Sequence, residues 1–288
     1  MAAAATGLQT PRRKRFGQHF LHDPTILQRI VAAIAPGPDD RLVEIGPGRG
    51  ALTRLLLTSS AAATAAASAA SAAACAARTT IDAIEIDRDL AALLHFEFAT
   101  EPRLRLHTGD ALEFDFTALA RERGGRLRVV GNLPYNISTP LLFHLLEHRS
   151  AIQDLHIMLQ KEVVARMAAG AGENDYGRLT VMLAPWCRVE RLFDVGPGAF
   201  RPPPRVWSAV VRLSILPEPA FPVSEHFGRV VSAAFTQRRK TLRNSLRELL
   251  SAAEIESAGL DPSARPETLP PEAFNALARK IVRWPPGA

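Results

Sequence analysis

The chain has 288 residues, 47% of them apolar, which is enough to bury the core of one large domain and a smaller one. Its net charge of +6 and sequence pI near 10 lean toward a polyanionic partner, although a solvated basic surface would give the same numbers. Two isolated cysteines, Cys75 and Cys187, argue against a disulfide framework or a cysteine-based zinc site and suit a reducing compartment.

The N-terminus is Ala-rich and then basic (Arg12, Arg13, Lys14, Arg15), without the apolar core of a secretory signal, so cytoplasm is expected. No strongly apolar run is long enough to span a bilayer, and no membrane partner is expected. Helical periodicity over Thr25 to Ile34 precedes a strand at Leu42-Val43-Glu44-Ile45. Gly46-Pro47-Gly48-Arg49-Gly50 follows and opens a helix, and its glycines allow a ligand close to the backbone. Nicotinamide-binding and methyl-donor-binding sheets share that loop. Residues 59–77 contain only Ala, Ser, Thr and one Cys, and read as an extension of the helix over Ala51 to Leu57 or as a solvated loop.

A strand over Ile81 to Ile86 places Glu85 at its end, where a carboxylate can accept both hydroxyls of a ribose. Leu104-Arg105-Leu106 is a third strand, and Asp110 after it can accept from an adenine amine or cap the next helix. Leu127 to Val130 is a fourth, running into Gly131-Asn132-Leu133-Pro134-Tyr135. An aromatic amine is a poor nucleophile because its lone pair is delocalised. The Asn132 carbonyl and a backbone carbonyl of Leu133 or Pro134 can accept both amine hydrogens and favour the pyramidal form, while Tyr135 offers a stacking face. A simple Asn-Pro turn with Tyr135 packed inward is the alternative.

Pro140 to His148 is helical. His144 and His148 have zinc-ligand spacing there, but no third ligand is apparent and they read as ordinary helix residues. Leu155 to Leu159 is a strand, and Arg188 to Val195 with Val206 to Leu213 form an antiparallel pair closing the sheet's edge. The alternation predicts βαβ units and a mostly parallel α/β sheet covered on both faces. Pro217, Pro219 and Pro222 mark a linker, giving domains over 1–216 and 217–288, the second all-helical to about Arg283. From His226 to Arg247 six Lys or Arg and no acid occur. On a continuous helix, Val231, Phe235, Leu242 and Leu246 make an apolar stripe beside Arg239, Arg243 and Arg247, a ridge suited to RNA phosphates.

Gly46-Pro47-Gly48, Glu85, Asp110 and Asn132-Leu133-Pro134-Tyr135 together resemble an S-adenosylmethionine-dependent adenine-N6 methyltransferase. More closely, the chain resembles the KsgA family of rRNA adenine dimethyltransferases. The likeness runs from Arg15-Phe16-Gly17-Gln18-His19-Phe20-Leu21 through Asn132 to Leu145, then Gly196 to Ser208 and Phe235 to Arg243.

The resemblance implies a Rossmann-like class I methyltransferase sheet with one antiparallel edge strand and a smaller all-α C-terminal domain. It implies dimethylation of two adjacent adenines near the 3′ end of 16S rRNA in the small ribosomal subunit. Asn132, Leu133, Pro134, Tyr135 and Phe200 would hold the target adenine. His19, Leu21, Gly46, Gly48, Glu85, Asp110 and Asn132 would hold S-adenosylmethionine, and Arg238, Arg239, Lys240, Arg243 and Arg247 the RNA. His19 stands where the family more often carries Asn, and the Ala-rich insertion separates Gly46 from Glu85 more widely than usual. Nothing demands more than a monomer. A macrolide-resistance-type large-subunit methyltransferase and a mainly non-catalytic ribosome-assembly factor are the competing readings.

Overall fold

Strands whose side chains are apolar on both faces belong inside a parallel sheet sheltered by helices. The computed structural model, which describes residues 18–65, 79–237 and 240–281, has that arrangement. Its elements begin with β1 (Phe20–Leu21), α1 (Pro24–Ile34), β2 (Arg41–Ile45), α2 (Ala51–Ala65) and β3 (Thr80–Glu85). Then come α3 (Arg88–Glu97), β4 (Leu104–Thr108), α4 (Phe116–Glu122), β5 (Leu127–Asn132), α5 (Ser138–Glu147) and β6 (Ile152–Gln160). After α6 (Lys161–Ala168) and α7 (Arg178–Leu183), β7 (Cys187–Val195), β8 (Phe200–Arg201) and β9 (Ser208–Ile215) complete the strands.

Seven strands form one sheet in the order β4-β3-β2-β5-β6-β9-β7. The pairs from β4 to β6 are parallel, and β9 lies antiparallel between β6 and β7, which supplies the expected antiparallel pairing at that edge. Chain order reverses across β2, which has β3 on one side and β5 on the other. Helix α1 starts sharply because Asp23 accepts from the backbone N–H of Thr25 and Ile26 and Pro24 opens the first turn. It buries Leu27, Ile30, Val31 and Ile34 with α2 against one sheet face. Helices α4 and α5 cover the other with Phe116, Leu119, Leu141, Leu142 and Leu145. Helix α2 extends into the alanine-rich tract as far as Ala65, so extension is the reading that holds there, while residues 66–78 lie outside the described part.

A second core gathers α8 (Phe227–Thr236), α9 (Leu242–Ser245), α10 (Ala252–Ser257) and α11 (Pro271–Ala278). It also takes Ala169, Tyr176 and Val181 from before the proline cluster, and the Tyr176 hydroxyl donates to the Leu269 carbonyl at 2.7 Å. The expected continuous helix from His226 to Arg247 is not formed. Helix α8 ends at Thr236, Gln237 leaves helical geometry, and a new short helix starts at Leu242 behind Thr241. The apolar stripe survives that break because Val231, Leu242 and Leu246 are buried from both pieces, with Phe235 packed beside them.

At the amino edge of the sheet Arg128 is clamped between Asp154 (3.0 Å) and Asp40, and also donates to the Ile34 carbonyl (2.8 Å). Removing the cation would strand two carboxylates in a region with little water. Arg128→Leu is expected to lower unfolding free energy by about 3 kcal/mol or more. Adding Asp154→Leu should recover much of that, as read by urea denaturation; additive losses would show that the pair is not coupled.

Candidate functional site

The loops after β2 and β5 leave the sheet in opposite senses, which opens a crevice at the strands' carboxyl ends. Gly48 has φ +59°, and a Cβ there would stand 3.0 Å from the Phe20 ring, so only glycine keeps this arc beneath β1. Gly48 N–H donates to Glu85 Oε2 and Asp87 N–H to Oε1, both at 3.0 Å. These bonds pin the carboxylate at the crest of β3. Burial pushes the Glu85 carboxyl above its usual range, partly offset by those two N–H donors. Asp110 accepts from the Leu112 N–H at 2.9 Å through Oδ1, so it caps a turn while lining the same crevice.

On the other side, Asn132 Nδ2 donates to the His19 carbonyl at 3.0 Å, which fixes the amide and leaves Oδ1 as its acceptor. The Pro134 carbonyl accepts from Ile137 N–H at 3.2 Å, which favours the Leu133 carbonyl as the second acceptor for an amine. The Tyr135 hydroxyl bonds Ser208 Oγ at 2.6 Å, and its ring stacks with His19 at 6.1 Å. Burial lifts the Tyr135 hydroxyl's pKa above its ordinary value, so it stays a neutral, held platform. The result is a cavity of ≈ 350 Å³ that His19, Leu21, Gly46, Gly48, Glu85, Asp110 and residues 132–135 all line. An adenosyl ligand fits that lining: a glycine arc with no side chain in the way, and the carboxylates of Glu85 and Asp110 as acceptors.

Phe200 is the exception. Its ring is 2% exposed within the core cluster under α1 and does not line the cavity. A ring contact with a target base is therefore not what its position provides. Instead β8 pairs antiparallel with β1, Phe200 facing Leu21 in register, and His22 N–H donates to the Ala199 carbonyl at 3.0 Å. His19 Nδ1 lies 2.7 Å from the Pro202 carbonyl. The Gly- and Pro-rich loop thus holds the N-terminal segment over the crevice.

Glu44, His156 and Met158 line the cavity too, and sequence reasoning gave them no role. For Glu44 a signal existed, since an acid at the centre of Leu42-Val43-Glu44-Ile45 must be buried. Lys240, Arg243 and Arg247 are exposed on the second core, whereas Arg238, Arg239 and the basic cluster at 12–15 fall outside the described residues. His144 and His148 bond the Phe114 carbonyl and the Thr117 hydroxyl, at 2.9 and 2.7 Å.

The family described as ribosomal RNA adenine dimethylase matches residues 10–69 and 70–282. The ribosomal RNA small subunit methyltransferase A of Pseudomonas aeruginosa is 54% identical over 275 residues, 95% of this chain and 96% of that protein. The protein of that name from Methylococcus capsulatus is 53% identical over 271 residues, 93% and 97% of the two chains. Among solved structures, the 23S rRNA methyltransferase ErmE superposes with TM-score 0.64 at 26% identity, over 92% of this chain and all (100%) of that one. A Plasmodium falciparum dimethyladenosine transferase gives TM-score 0.70 at 24% identity, over 90% and 96%, a likeness of fold.

Glu44 offers a test of the site's electrostatics. Burial pushes its carboxyl up to about 7, the Thr53 hydroxyl at 2.6 Å works against that, and Glu85 adds to it. Because the folded pKa lies above the unfolded one, stability is full below pH 4.5 and falls as pH rises toward 7. Glu44→Gln keeps an acceptor for Thr53 and removes the titration. Relative to the variant, the wild-type chain should lose up to roughly 3 kcal/mol between pH 4.5 and 8. Parallel stability curves would mean that Glu44 does not titrate in this range.

Proposed function

Because the chain belongs to the ribosomal RNA adenine dimethylase family, we propose that it dimethylates N6 of two adjacent adenines near the 3′ end of 16S rRNA, in the small ribosomal subunit. Enzymes of this family draw the methyl from S-adenosylmethionine, whose sulfonium makes it strongly electrophilic. The observation that carries the reading is the fixed Asn132 amide. With Nδ2 spent on His19, Oδ1 can only accept, and it stands beside a cavity lined by Gly46, Gly48, Glu85 and Asp110.

Asn132 Oδ1 and the Leu133 carbonyl hold the two amine hydrogens, which turns the nitrogen lone pair toward the donor. Tyr135 supports the base by its face, and Pro134 stiffens the turn that aims Leu133. Glu85 receives the ribose hydroxyls, Asp110 the adenine amine, and the His19–Leu21 segment closes the amino-acid side. Alignment rather than proton abstraction does the work, since the amine proton can leave after the methyl arrives. Lys240, Arg243 and Arg247, with Arg238 and Arg239 between the two helical pieces, present residues 217–288 to RNA phosphates. The protein acts as a monomer in the cytoplasm.

The large-subunit alternative rests on the likeness to ErmE at 26% identity, and the twofold higher identity to small-subunit enzymes outweighs it. A purely non-catalytic assembly factor would have no need of a cavity lined by Gly46, Gly48, Glu85, Asp110 and Asn132 together.

The deciding experiment supplies undermethylated small subunits and methyl-labelled S-adenosylmethionine, followed by nucleoside analysis of the rRNA. Dimethyladenosine in 16S rRNA is expected; label found only in large-subunit rRNA would overturn the reading. Asn132→Ala should abolish transfer while leaving subunit affinity within about twofold, because no phosphate contact is lost. Lys240→Glu combined with Arg243→Glu should weaken subunit binding and flatten its dependence on log salt by about two phosphate contacts. An unchanged salt slope would remove this surface from the interface.

A further inference from the structure

Trp207 is 54% exposed, although an indole has more apolar area to bury than any other side chain. It stands one residue before Ser208, whose hydroxyl is bonded to the Tyr135 hydroxyl at 2.6 Å. A hydrogen bond and a peptide link are therefore all that separate this residue from the ring that supports the target adenine.

The indole is held in place. A Cβ on Gly196 would meet its Cη2 at 3.6 Å, so the six-membered ring rests on that backbone. Lys161 N–H donates to the Trp207 carbonyl at 2.9 Å, and Lys161 Nζ lies 5.7 Å from the ring centre. Asp194 in turn pairs with Nζ at 2.8 Å. Pro202, Pro203 and Pro204 stiffen the approach to the indole. A lone surface tryptophan is ordinary. This one is anchored beside a base-supporting residue, in a run where Arg201 and Arg205 are also exposed. An aromatic face among cations suits a single nucleic-acid strand, whose phosphates are attracted while its bases stack.

The sheet register places Trp207 relative to the reacting amine. Asn132 pairs with Met158 and Met158 with Val210, so β9 begins two residues farther out toward the carboxyl edge than Asn132. Trp207 precedes that start and does not line the cavity. An adenine that enters the cavity leaves its stack, and the nucleotide next to it loses a stacking face. We propose that Trp207 is a positioning residue for RNA, its indole stacking the nucleobase next to the target adenine. The inference rests on the proposed function, and it has a polarity. Only one of the two adjacent adenines can have the other as its partner on Trp207; for the second target a different nucleotide takes that place.

Methyl transfer by the full chain to undermethylated small subunits tests this. Trp207→Ala is expected to raise KM for the subunit by about tenfold or more, with kcat within about threefold and KM for S-adenosylmethionine within about twofold. Trp207→Phe, which keeps an aromatic face, should recover most of the loss. A parallel rise in both KM values would make Trp207 a prop for Ser208 and Tyr135, and an unchanged subunit KM would remove it from the RNA path; either result overturns the proposal. Two further substrates replace one or the other adenine by uracil, a weaker stacking base. In one of the two the penalty of Trp207→Ala should shrink to about threefold or less, because the stacked base is already compromised. A full penalty on both would show that the neighbouring base does not lie on Trp207. Absence of dimethyladenosine from 16S rRNA with the wild-type chain would instead overturn the proposed function, and this inference with it.

Discussion

Everything at the site depends on how closely β2 and β5 approach where the sheet changes direction. A Cβ on Gly131 would stand 2.4 Å from the Ile45 carbonyl oxygen, a distance no side chain can occupy. Glycine therefore lets β5 pass close against the end of β2 just beyond their last pair, Glu44 with Val130. Since β2 connects onward to β3 and the chain returns to β5 only later, the loops after Ile45 and Asn132 part at that point. The crevice is a topological consequence, and Gly131 sets its width.

The parallel strands build only the floor and one wall. The opposite wall is the β1–β8 ribbon, which would be marginal by itself and is held by Phe200 in the core and by the His19–Asn132 bond. A hydrogen bond of that kind contributes about 1 kcal/mol net, too little to order a chain segment alone. Buried apolar area under Phe200 and Leu27 supplies the rest. Residues at opposite ends of the domain sequence thus hold each other against the cavity, and the Asn132 amide is oriented by a backbone carbonyl contributed from far away in the chain.

Local sequence disclosed much of this. β-branched runs placed all seven sheet strands to within a few residues, and the carboxyl-end positions of Glu85, Asp110 and Asn132 follow from strand assignment alone. Two features were hidden because they depend on tertiary packing. Whether Phe200 faces a base or the core turns on the β1 pairing, which neither short segment announces. The break after Thr236 was masked because Val231, Phe235, Leu242 and Leu246 keep helical spacing across it, and the broken chain buries the same stripe. His156 left no trace in the sequence either, as a histidine within Leu155 to Leu159 looks like any residue of a buried strand. The roles in donor and RNA binding came from motif likeness rather than from periodicity.

The reach of the second core across the proline cluster bears on how this protein is divided in the laboratory or in evolution. Ala169, Tyr176 and Val181 are rooted among the catalytic elements yet packed against α8 and α11, with Tyr176 tied to Leu269. A chain ending at residue 216 would carry those side chains as an uncovered hydrophobic scar, prone to self-association. The C-terminal helices grafted elsewhere would in turn lack three plugs of their own interior. The seam at which these two parts can be exchanged as modules therefore does not coincide with the proline-marked linker.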